Sequence, residues 1–314
     1  MKSKSNRNLR LLALCAILLS GLISCNDDAK HVGVTDSPTK GTINISADES
    51  FRPVIEEQVK VYEALFPGTK LLVSYKPEAI CFQDLYSDTT NRMIIVTRGL
   101  TGQEARFYSD SLGFTPVSDR LAFDAITLVL NKNNPDTLFT IQKLHDLLSG
   151  KLGKKQSVVF DGLNATSTIR YALDSILRGT PLDTGVVKAV KNSAELLQFV
   201  ADDPNAIGFV GISWIGNPED TAQVKLLKKV KLGYLECSLC QDSPYVKPTQ
   251  AGIISRRYPL VRGLYYILKE NFNGLGSGFV SFMKGQKGQL IFRRAYLAPV
   301  MDFGIRSVKI NEKL

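Results

Sequence analysis

The stretch FDGLNATSTIRYALDSIL, Phe160 to Leu177, gathers Asn164, Thr166, Ser167 and Thr168 where a strand-like run gives way to an apolar helical period. Free backbone N–H groups at a helix start carry partial positive charge, so hydroxyls placed there either cap the helix or help to hold an anion. Both readings stand on these residues alone. Asp48, Glu49, Ser50 and Phe51 precede another helical pattern. Ser50 is a candidate cap, and the two acids are candidate partners of the helix dipole. Thr97 and Arg98 follow a third strand-like run, and Arg98 carries a planar fork of charged donors that suits the nearby Glu104.

Other chemistries are not assembled. There is no Gly-x-Ser-x-Gly elbow, and the two histidines, His31 and His145, stand apart in sequence from these segments. The CSLC run of Cys237 to Cys240 lacks the second pair that a zinc site needs, which leaves ordinary thiols or a local disulfide. No enzyme activity, cofactor or metal is expected.

The elements that must position the donors alternate. TINISA, KLLVSY, RMIIVT, DAITLVLN, SVVF and AIGFVG read as strands, and helical patterns separate most of them, which points to an α/β architecture. SFRPVIEEQVKVYEALFPG is a helix stopped by Pro67-Gly68, EAICFQDLY a short one, and Thr101 with Glu104 forms a capping box ahead of another. Thr140 caps TIQKLHDLLSGK, and Asn192 with Glu195 suggests a second capping box. A single helix is expected around SGFVSFMKGQKGQLIFRRAY. Trp214 is expected to pack at a strand end. The folded part, about residues 41 to 310, exceeds the size at which one core usually stops growing, so two lobes are expected.

Lys2, Lys4, Arg7 and Arg10 precede an apolar run from Leu11 to Ile23, the layout of a signal peptide. Its end, Leu22-Ile23-Ser24-Cys25, resembles the lipobox of bacterial lipoproteins, which implies acylation of Cys25. Removing residues 1–24 takes four positive charges and no acids, so the formal +9 falls to +5, too mild and too evenly spread for nucleic-acid binding. Residues 25–40 read as a polar tether.

Taken in order, several segments resemble the phosphate-binding component of bacterial phosphate ABC transporters, a solute-binding family of the type II periplasmic-binding-protein fold. GTINISADESFRPVIEEQVKVYE resembles the family's first strand, binding loop and helix; VTRGLTGQE, DAITLVLNKNNP, FDGLNATSTIRYAL, AIGFVGISW and YPLVRGLYY with GQKGQLIFRRAYLAPV follow in the family's sequence. The resemblance implies an α/β fold of two lobes with two interlobe crossovers, near Arg120 to Asp124 and Tyr245 to Gln250. Lobe 1 would hold residues 41–123 and 246–314, and lobe 2 residues 124–245. It implies a phosphate or related oxyanion held by Ser50, Phe51, Thr97, Arg98, Asn164, Thr166, Ser167 and Thr168, with Asp48, Glu49 or Glu78 as proton acceptor. It implies delivery by a monomer, periplasmic or at the cell surface and anchored to the membrane through its lipid, to an ABC permease in the inner membrane. The chain departs from the family where Glu78 and Ala79 replace a glycine- and serine-rich loop and where Asp161 stands in place of an arginine. Loss of anion binding through such acids would leave a lipid-anchored sensor or surface interaction module.

Overall fold

The computed structural model describes residues 36–303 apart from 154, 163–165, 242 and 243. The signal segment, the lipid site at Cys25 and the candidate donor Asn164 therefore lie outside the described residues. Among these residues no helix is long and apolar enough to cross a membrane, and no group of three or more His, Cys, Asp or Glu side chains could hold a metal ion.

Strand β1 (Gly41–Asp48) buries Ile43, Ile45 and Ala47, and a short turn carries it into helix α1 (Arg52–Leu65). Pro53 sits in the first turn of α1, where its missing N–H breaks no helical bond. Ser50 does not cap this helix. Its cap position falls on Phe51 without a side-chain bond, and the Asp48 carboxylate accepts the Ser50 N–H at 3.0 Å, so the Ser50 hydroxyl is left to other partners. Then come β2 (Thr69–Lys76), α2 (Glu78–Ser87), β3 (Asn91–Val96) and α3 (Gly102–Leu112). The expected capping box opens α3: the Glu104 N–H donates to Thr101 at 3.3 Å and the Thr101 N–H to the Glu104 carboxylate at 2.7 Å.

Strand β4 (Val117–Asn131) is followed by β5 (Leu138–Phe139), α4 (Ile141–Leu148), β6 (Ser157–Asp161) and α5 (Ser167–Tyr171). Thr140 caps α4 as expected. Helix α5 continues as a wider π turn, Ala172–Leu177, closed by Arg178 with φ 48°. Next are β7 (Val187–Val190), α6 (Ser193–Asp202), β8 (Ala206–Gly211) and α7 (Thr221–Leu226). Asn192 caps α6, but the Glu195 carboxylate accepts the N–H of Lys191, so the second capping box is half made.

The short strands β9 (Val230–Leu232), β10 (Tyr234–Glu236) and β11 (Tyr245–Val246) precede α8 (Gln250–Ile254) and β12 (Val261–Leu268). A disulfide joins Cys237 to Cys240 in the β10–β11 connection, which decides between thiols and a bridge. The chain closes with α9 (Leu275–Lys284), α10 (Gln286–Arg294) and β13 (Ala298–Pro299). The one helix expected here is two. Gly285 is extended between them, and at Gly288 a Cβ would lie 2.4 Å from the Phe282 carbonyl oxygen, so only glycine lets α10 fold back onto α9.

The main sheet runs β2-β1-β3-β12-β4-β8-β6-β7, with β13 and β9 also on β4. Parallel pairs joined through helices make up each end: β2-β1-β3 on one side and β8-β6-β7 on the other. Between them β4 is the spine, its first part antiparallel to β12 and β13 and its second part to β8 and β9. The result is a curled α/β sheet with two lobes that share one strand. A main apolar core runs through both, and a smaller one lies under α2 and α3 around Cys81, Leu85 and Tyr108.

Candidate functional site

The strand ends of the two lobes meet at a buried polar cluster. Ser50, after β1, has its hydroxyl 3.3 Å from Asp161 Oδ2 at the end of β6 and 3.3 Å from Ser167 Oγ at the start of α5. Arg262 reaches in from β12. Its Nε donates to Asp124 Oδ2 at 2.8 Å, its Nη1 to Ser167 Oγ at 2.8 Å and to Thr168 Oγ1 at 3.4 Å, and its guanidinium lies 4.8 Å from the Phe51 ring centre. The hydroxyl of Ser193, opening α6, lies 2.8 Å from Asp161 Oδ2 and 2.9 Å from Glu49 Oε2, within hydrogen-bond reach of both carboxyls. Trp214 donates its indole N–H to the Ser50 carbonyl at 2.9 Å. Gly211 lets these groups close up, since a Cβ there would lie 3.2 Å from Arg262 Nη2 and 3.3 Å from the Ser50 carbonyl oxygen.

Burial sets the electrostatics. Asp48 is pushed up to about 7, chiefly by burial, with Arg262 opposing and the charge of Glu78 adding to the rise. Asp161 and Asp124 are also raised by burial, against bonds from Ser193 and the charge of Arg262, and Glu49 is raised by burial and by Asp161. Three buried acids, Asp48, Asp124 and Asp161, thus face one arginine, and burial makes each of them easier to protonate. A protonated Asp48 donates a hydrogen bond where an ionised one would accept. Asp48 Oδ2, Asp161 Oδ1 and Arg262 Nη2 are buried without a hydrogen-bond partner among the described residues. Buried polar atoms are normally paired, so this cluster is chemically suited to a small group carrying both acceptors and donors, such as a protonated oxyanion.

A second station lies beside the first. Glu78, at the start of α2, accepts the Thr97 N–H at 2.8 Å and the Thr97 hydroxyl at 2.5 Å through Oε1, and Arg170 Nε at 2.7 Å through Oε2. Arg170, on α5, also donates to Thr97 Oγ1 at 2.6 Å. Burial raises the Glu78 carboxyl, but the bond and charge of Arg170 together with the Thr97 donors carry it below its ordinary value.

The structure brings together Asp48, Glu49, Ser50, Phe51, Ser167 and Thr168, and sets Thr97 with Glu78. Thr166 has its side chain on the Ile169 N–H, the capping role. Arg98 turns away from the cluster: both its terminal nitrogens donate to Glu104 at 2.8 Å and its guanidinium stacks 3.8 Å from the Phe82 ring centre. The expected donor fork comes instead from Arg262, which sequence reasoning missed along with Arg170, Asp161 as an acceptor, and Ser193. The signal for Arg262 was a lone cation inside the apolar strand run PLVRGLYYIL. A groove of about 590 Å³ runs along the cluster's flank, lined by Arg52, Glu56, Leu197, Trp214, Gln223 and Ile291 among others.

Two α/β lobes built on a shared strand thus meet at a buried donor set. The PBP superfamily domain matches residues 32–286, and the chain belongs to that superfamily. Among curated proteins it is similar to the phosphate-binding protein PstS of Pseudomonas aeruginosa, at 21% identity over 90% of this chain and 92% of that protein. Among solved structures it resembles a candidate phosphate ABC transporter substrate-binding protein of Clostridium perfringens with bound phosphate, at TM-score 0.67, 19% identity, and 83% and 100% of the two chains. An ABC-type phosphate transport receptor of Vibrio cholerae follows at TM-score 0.58 and 20% identity, over 82% of this chain and 99% of the other. At these identities the structural likeness speaks for the fold alone.

Proposed function

We infer that this chain is an extracytoplasmic solute-binding protein that captures inorganic phosphate, or a related oxyanion, between its lobes and delivers it to an ABC permease. The observation that carries this reading is Arg262 Nη2, a buried guanidinium donor without a hydrogen-bond partner among the described residues, set among the Ser50, Ser167 and Thr168 hydroxyls where the lobes meet. The curated relatives, named as phosphate-binding proteins, support the same solute. The solute would take the Arg262 donor and the hydroxyls, and the acids Asp48 and Asp161, both raised by burial, would sort oxyanions by their protons. Fully ionised sulfate has no proton to offer an acceptor and meets carboxylate charge, which favours phosphate and arsenate over it.

In this reading the lobes are residues 41–123 with 246–314, and residues 124–245. The chain crosses between them along β4 and again between Tyr245 and Gln250, and it works by reversible hinge closure. The leader ending before Cys25 is removed, Cys25 is acylated, and the polar tether holds a monomer at the membrane, in the periplasm or at the cell surface. Binding, not bond chemistry, is the activity.

Thermal unfolding of the purified chain with phosphate, arsenate or sulfate at matched ionic strength tests this. A solute that binds only the folded state raises the midpoint with its concentration. Phosphate and arsenate should raise it, sulfate should not, and Arg262→Gln should abolish the rise. A folded, ligand-free chain that responds to none of the three would sink the phosphate reading.

A further inference from the structure

Glu78 is buried at 3% exposure at the seam between the lobes. The groups around it are a backbone N–H and a hydroxyl from Thr97 on one lobe, and the guanidinium of Arg170 on the other. A neutral amide, a hydroxyl and a planar cation converging from two walls are the donors an oxyanion requires. Here a side-chain carboxylate of the chain fills them. Both of its oxygens are engaged, and the Thr97 hydroxyl, while donating to Glu78, accepts from Arg170. The neighbouring cluster has the opposite character, with a donor and two acceptors left unpaired among the described residues.

We propose that Glu78 is a tethered anion: its carboxylate occupies an oxyanion subsite made by Thr97 and Arg170, draws the lobes together without solute, and confines the solute to the Ser50, Ser167 and Arg262 cluster. The confinement rests on reading that cluster as the solute site; the closure does not. Glu78 thereby determines specificity by exclusion. A solute large enough to need both stations must displace a covalently attached competitor whose carboxylate is buried, while a small one need not.

Small-angle scattering on the whole chain without phosphate tests this, with acetate as a diffusible carboxylate. Wild type should be compact and indifferent to acetate. Glu78→Ala should have a larger radius of gyration, and acetate should return it towards the wild-type value and raise its unfolding midpoint. Arg170→Gln should be expanded and should not respond to acetate, because the guanidinium that holds the carboxylate is gone. Glu78→Gln keeps shape and volume while losing charge, and it should be expanded too, which covers the case of Glu78→Ala failing to fold. A Glu78→Gln chain as compact as wild type, or an acetate response equal in wild type and Glu78→Ala, overturns the proposal. None of these measurements uses phosphate, so the closure can fail while the phosphate reading stands, and the reverse.

Discussion

Asp48 carries a proton that the unfolded chain would release, and this links stability to pH. Its ordinary value is 3.8 and its folded value about 7, so between those limits the native state binds a proton that the unfolded state does not. Stability contributed this way is complete below pH 3.8 and declines as pH rises through about 7. A shift of this size corresponds to on the order of 4 kcal/mol, and the raised acids Asp161, Asp124 and Glu49 act in the same direction. Asp48→Asn keeps an acceptor for the Ser50 N–H and removes the titration. Its unfolding midpoint should fall less steeply than that of wild type between about pH 4 and pH 7, and an unchanged slope would remove Asp48 from the account. Which residues were legible follows from locality. Ser50, Ser167 and Thr168 announce themselves because hydroxyls at strand-to-helix junctions are visible in a short window. Arg262 does not, because its carboxylate partner is 138 residues away and its hydroxyl partners 94 and 95. Arg98 misled for the converse reason: its partner Glu104 is six residues off, and the local pairing won.

Among the elements, the contact of α6 with β8 shows how tightly the second lobe holds its donors. Gly208 lies in the middle of β8, and a Cβ there would lie 2.6 Å from Leu196 Cδ2 and 2.9 Å from Val200 Cγ2. Helix α6 therefore rests directly on the sheet backbone, and this seats Ser193 against Asp161 and Glu49. Gly208→Val should cost about 1–3 kcal/mol by overpacking, read from urea unfolding, and should weaken solute binding by lifting Ser193. Wild-type stability in that variant would contradict the close approach. Helix starts with local caps, at Thr101, Thr140 and Asn192, were readable because a cap and its target are three residues apart. The break at Gly285 was not, because the apolar period continues across it and only the fold-back of α10 onto α9 interrupts the helix. The full length of β4 was hidden too. DAITLVLN marks only its buried second part, while VSDRLAF, the first part, opens on three exposed residues and looks like a loop.

At the scale of the molecule, two lobes could be inferred from chain length and the order of elements. That they meet along one continuous strand, with several side-chain bonds across the seam, could not, because those bonds join residues more than ninety positions apart. Closure in this chain is thus held by its own side chains as well as by any solute, and its resting shape is a balance between the Glu78 to Arg170 pair and the hydration those groups would recover on opening. One of the seam bonds has an optical consequence. Trp214 is the only tryptophan of the chain, and its indole N–H donates across the seam to the Ser50 carbonyl. Parting the lobes breaks that bond and wets the ring, so indole emission should move to longer wavelength as the chain opens and return as it shuts. The protein carries its own reporter of hinge position, with no dye attached, and an emission spectrum that stays fixed while scattering registers expansion would mean that the hinge turns without disturbing this edge of the seam.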